Sequence, residues 1–123
     1  MRAIHPLAKQ AAVIIFEREP SLMDQFGEQG KTKCYEENVH HLKQLHSAYE
    51  LKQTSFFIDY ALWLNGILAK HGMNDQQLID HFEVIKEVLT VSSQVEEEAL
   101  PFYRAYLDQA ILELAIQSGK KDR

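Results

Sequence analysis

From Lys31 to Leu51 the chain contains neither glycine nor proline, and Tyr35, Leu42, Leu45 and Tyr49 recur along it at steps of seven, three and four. Those steps share one face of a helix and alternate between the faces of a strand, so the segment predicts a long amphipathic helix. The pattern recurs downstream. Phe57, Tyr60, Leu64, Ile67 and His71 follow a Thr54 or Ser55 cap and stop at Gly72. Leu78, Phe82, Ile85 and Leu89 then follow Asn74 and Gln77, which stand at capping-box spacing.

Towards the N-terminus, Pro6 suits the first turn of a helix whose apolar block runs from Leu7 to Phe16. Glu19, ahead of Pro20, is steered out of helical geometry and ends it. Ser21 and Asp24 predict a short capped turn of helix ending at Gly27, with Gly30 punctuating a polar connection. After the polar, β-branched break Thr90-Val91-Ser92-Ser93, Glu96, Glu97 and Glu98 suit the positive end of a last helix. Pro101 falls in an early turn of that helix or at a kink, and the helix runs to about Gln117. There is no strand alternation, internal repeat or low-complexity linker. The expectation is all-α: a bundle of about five main helices plus a short N-terminal-side helix, one domain over 1–119 with a frayed tail at 120–123.

With 46% hydrophobic residues, 123 residues suffice to bury one core without crosslinks. Thirteen Lys and Arg against 18 Asp and Glu leave a net charge of −5, which repels phosphate backbones and anionic lipid. Neither nucleic acid nor a membrane surface is an expected partner. A single cysteine cannot form an intramolecular disulfide or a cysteine-rich zinc site. The apolar run Ala11 to Phe16 is short and runs into Glu17-Arg18-Glu19, unlike a secretory signal, and no stretch approaches the ~20 apolar residues of a membrane span. A cytoplasmic protein is expected.

The chemistry concentrates in Cys34-Tyr35-Glu36-Glu37-Asn38-Val39-His40-His41-Leu42-Lys43. Glu37 and His40 form one Glu-x-x-His pair, whereas a di-iron centre of the helical-bundle type needs two such pairs and two further glutamates. Cys34, Glu37 and His41, at offsets of three, four and seven, share a helix edge and outline one side of a pocket. A Cys beside a His can be a nucleophilic pair, but two turns separate 34 from 41, and a structural thiol is the ordinary alternative. His71 reads as a capping histidine at a helix C-terminus or as a ligand to haem iron, and His81 borders an apolar face. Trp63, with Phe56, Phe57, Tyr60, Phe82, Phe102, Tyr103 and Tyr106, either lines a ligand cavity or fills a core. Phosphate loops, dinucleotide fingerprints and nucleophile elbows are absent. The candidate ligand-binding residues are Cys34, Glu37, His41, Trp63 and His71, with no catalytic or metal set.

In its order of helices and apolar steps, Cys34 to Leu89 resembles the chromophore-bearing part of the phycobiliproteins, which are globin-like in fold. In that family an Arg and an Asp follow the bilin-bearing Cys at plus two and plus three, where this chain has Glu36 and Glu37. The resemblance implies Cys34 as attachment thiol and Glu37 as the acid facing pyrrole nitrogens, with a glutamate where the propionate-binding arginine would be. Phe57 to Met73 similarly looks like the corresponding part of haem-free globin-like sensor domains of bacterial signalling proteins, which work through helix-mediated dimerisation. In their haem-binding relatives the proximal histidine would fall near Leu68, and leucine does not ligate iron. These resemblances imply a non-enzymatic regulatory or sensory module acting as a homodimer or docked on a protein partner. The alternatives are a binder of a linear tetrapyrrole, haem or another apolar ligand edged by Cys34, Glu37 and His41, and a helical-bundle metalloprotein.

Overall fold

The computed structural model describes residues 1–121 and is all-helical over that range: α1 (Ile4–Arg18), α2 (Ser21–Leu51), α3 (Thr54–Lys70), α4 (Asp75–Val91) and α5 (Leu100–Lys121). None of these helices is long and apolar enough to cross a membrane. The first packs against α2 and α4, while α5 lies on α3 and α4 and touches α2. Leu42, Leu45, Phe57, Leu78, Phe82, Ile85, Leu89, Leu107 and Leu114 fill the centre. On α1 the buried face is largely alanine, with Ala8, Ala11 and Ala12 bringing its backbone close to α2. Asn38 uses that proximity, donating from Nδ2 to the Ala8 carbonyl at 3.2 Å.

Local chemistry sets the helix ends at Asn74 and Gly72, whereas α3 begins after Gln53 with no side-chain cap bond, and Thr54 and Ser55 lie inside the helix. The Asn74 side chain accepts from the Gln77 N–H at 2.9 Å and the Gln77 side chain accepts from the Asn74 N–H at 3.0 Å, the capping box the sequence predicts. Gly72 ends α3 with φ +88°, and the Met73 N–H reaches back to the Leu68 carbonyl at 3.1 Å. That wrap seats Met73 beside Leu68. The three glutamates precede the last helix instead of opening it: the Ala99 and Leu100 N–H groups both bond the Glu96 carbonyl, and Pro101 sits in the first turn, not at a kink.

The N-terminal-side short helix is present as the first leg of α2, from Ser21 to a sharp break at Gly27 (φ +65°, ψ −159°). Those angles are reserved for glycine. The helix then resumes at once, so Gly30 lies within α2 and not in a polar connection. The break at Gly27 folds the short leg back so far that Phe26 lies against Gly30, where any side chain would collide.

Polar pins join the helices. Asn65 of α3 donates to Asp75 of α4 at 2.8 Å, both buried. Lys86 of α4 pairs with Asp108 of α5 at 2.7 Å, and Arg18 of α1 with Glu87 of α4 at 2.8 Å. The latter two are solvent-accessible and contribute about 0–1 kcal/mol each. Burial of the apolar centre dominates stability.

Candidate functional site

A cavity of about 320 Å³ opens where the kinked helix faces the α3–α4 turn. The short leg of α2 supplies Leu22 and Phe26, and the long leg supplies Gly30, Lys33, Cys34 and Glu37. Leu68, His71 and Met73 close the opposite side, with Phe16 from α1 and Gln77 and His81 from α4 completing the walls. Three of the five candidate residues, Cys34, Glu37 and His71, thus come together from different elements. Leu68 faces the same space.

The other two candidates are elsewhere. His41 does not edge this cavity: it is 1% exposed, and a 2.7 Å hydrogen bond joins its Nδ1 to the Tyr60 hydroxyl. Its ring also packs edge-on with Phe82. Positions 34, 38, 41, 45 and 48 are the innermost stripe of α2, and Glu37 lies to one side of it, so one helix edge divides between core and cavity. Trp63 is 63% exposed on the outside of α3 and does not line the cavity. Sequence reasoning missed Phe16, Phe26, Gln77 and His81; the Gly27 break beside Phe26 was the one signal pointing to them.

Burial sets the protonation states. The Cys34 thiol, 7% exposed, is pushed up to about 12, chiefly by desolvation and further by the Glu37 charge. It is a neutral thiol at physiological pH and a poor nucleophile. Desolvation also raises Glu37, opposed by the nearby Lys33 and His40. His81 is lowered to about 4 by burial, against the pull of Asp80, and His41 to about 3 by burial and the neighbouring His81 and His40. The two buried imidazoles are therefore uncharged. His41 Nε2 and Asn38 Oδ1 are buried with no hydrogen-bond partner among the described residues.

Burial suppresses the Cys34 thiolate that a thioether link to a tetrapyrrole would need, and Glu36 points to solvent. The volume stands at the low end of the ~300–1,000 Å³ range of small-molecule sites. Among the described residues no three His, Cys, Asp or Glu side chains converge as metal donors.

A larger cleft of about 650 Å³ lies beside Tyr103, walled by Arg2, Ser93, Gln94 and Glu96. Next to it Glu50, His46 and Tyr103 are linked in series, 2.5 Å from Glu50 to His46 Nε2 and 3.0 Å from His46 Nδ1 to the Tyr103 hydroxyl. Burial and the nearby Glu96, Tyr49 and Glu50 push that hydroxyl up to about 12, so it stays protonated. The series clamps α2 to α5. Met1, Ala3, Pro6 and Val95 also line its cleft, which is the more polar of the two; the smaller cavity has the more apolar body.

Compared with known protein families, curated proteins and solved structures, the chain matches none of them.

Proposed function

We propose that this chain is a non-enzymatic, globin-like regulatory or sensory module that binds a small apolar molecule between the kinked helix and the α3–α4 turn. The single observation carrying this reading is the cavity itself. It joins an apolar lining of Phe16, Leu22, Leu68 and Met73 to a few convergent polar groups, and one wall stands on a leg hinged at Gly27. A ligand there touches α1, α2, α3 and α4 together, so its occupancy is coupled to their packing.

The test is thermal denaturation of the protein against a panel of small apolar compounds, repeated on Phe26→Ala. A ligand at about 100 times its Kd stabilises the folded state by about 2.7 kcal/mol. Stabilisation that is lost in Phe26→Ala supports the cavity; compounds that stabilise both proteins equally, or none that stabilises either, count against it.

A second reading, self-association or partner docking, is favoured by Trp63 on α3 and by Leu112 and Ile116 on α5, all exposed. Exposed apolar side chains of this size are a common element of protein contacts. Light scattering that finds a strict monomer at high micromolar concentration argues against a homodimer.

A further inference from the structure

Glu37 is the one acidic side chain lining the cavity. Its carboxylate is half-buried and makes no hydrogen bond or ion pair with the described residues. A desolvated carboxylate left so is costly, and it becomes favourable once a cation or donor reaches it. Lys33 and His40 ease the Glu37 charge from a distance, but neither closes an ion pair with it. Lys33, one turn away, is exposed at the rim and no closer than salt-bridge range, and burial keeps His81 neutral. Two phenyl rings, Phe16 and Phe26, and the thioether of Met73 line the same cavity as Glu37. Aromatic faces attract organic cations, most strongly where water is excluded.

We propose that the cavity selects a compact organic cation, an amine or ammonium on a short apolar body, with its charge against Glu37 and its body on the lining formed by Phe16 and Phe26. This rests on the ligand-binding reading above. At ~30 Å³ for each water-sized group, about 320 Å³ holds roughly ten such groups, the size of an arylalkylamine. Phe26 is 56% exposed although it lines the cavity, and it stands on the leg bounded by Pro20 and Gly27. The bound molecule covers part of that ring.

The experiment is amide NMR titration of the full chain with 2-phenylethylamine, 2-phenylethanol and 3-phenylpropionate, which share a phenyl body and differ in charge. The amine is expected to shift the Gly30, Cys34, Met73 and Gln77 signals saturably, and the alcohol to bind at least about tenfold more weakly. Glu37→Gln should erase the difference between amine and alcohol, and Lys33→Gln, which removes a like charge at the rim, should tighten the amine. Amine and alcohol binding equally, propionate binding best, or Lys33→Gln weakening the amine overturns the cation assignment while leaving a ligand cavity in place. No saturable shift with any of the three overturns both the assignment and the cavity reading.

Discussion

Gly30 lies so close beneath Phe26 that a Cβ added to the glycine would stand 2.2 Å from the Cβ of the phenylalanine. A β-carbon is fixed to the backbone and cannot swing aside. The contact therefore holds the two legs of α2 in one arrangement, and with them the cavity wall. Gly30→Ala must push the short leg off the long one. We expect a loss of roughly 1–3 kcal/mol by urea denaturation, against the ~1 kcal/mol that alanine gains over glycine in a helix. Gly66, also helical, has nothing within 4 Å of the equivalent point, and Gly66→Ala should stabilise by up to about 1 kcal/mol. Equal effects at the two sites would disprove the close contact.

At the other end of α2, Lys52 is held at φ +56°, ψ +40°, a left-handed residue closing the helix while the Gln53 N–H bonds the Ala48 carbonyl at 3.0 Å. Glycine takes this position without the Cβ penalty of about 1–2 kcal/mol. Lys52→Gly should raise the denaturation midpoint by a corresponding amount despite the added freedom of the unfolded chain. A drop in stability would mean that the lysine stem, not the turn, matters there.

Much of this was legible because it is local. The Asn74/Gln77 box, the stops at Gly27 and Gly72, and the apolar stripes of α3 and α4 are all set by residues within one or two turns. Gly30 was misread as a connection although its partner Phe26 is only four residues away, because its need for a bare Cα depends on the Gly27 backbone angles, which residue spacing does not reveal. The site was half legible for a similar reason. Spacing puts Cys34, Glu37 and His41 on one edge, but only the packing of α3 and α4 decides that His41 goes inward to Tyr60 and Phe82 while Glu37 stays at the cavity.

His41 and His81 make stability dependent on pH. Both are neutral in the fold, at about 3 and about 4, against about 6.5 in the unfolded chain. Below that value the unfolded state takes protons that the folded state refuses. Their contribution is full above about pH 6.5 and is lost as the pH falls towards 4 and then 3, at up to about 1.4 kcal/mol per pH unit for each histidine. Glu37, raised by burial, opposes this within the carboxylate range. Urea midpoints should fall between pH 7 and 5, and His81→Gln should flatten the slope. A profile unchanged by that substitution would remove His81 as a cause.

Cys34 reports on the short leg directly. With its thiol at about 12 in place of about 9, the thiolate fraction at any working pH is about a thousandfold smaller than in the unfolded chain. Asn38 Nδ2, 3.8 Å away, and the cavity lining restrict access further. Reaction with an aromatic disulfide reagent at pH 8 should therefore be slow in the native protein and immediate in urea. Gly30→Ala, by lifting Phe26, admits water to the thiol and weakens the desolvation that suppresses it. It should accelerate the reaction at urea concentrations where the protein is still folded by circular dichroism. If native Cys34 reacts as fast as unfolded Cys34, the cavity floor is open to solvent; if Gly30→Ala unfolds the chain without first exposing the thiol, the two legs of α2 move only with the whole core.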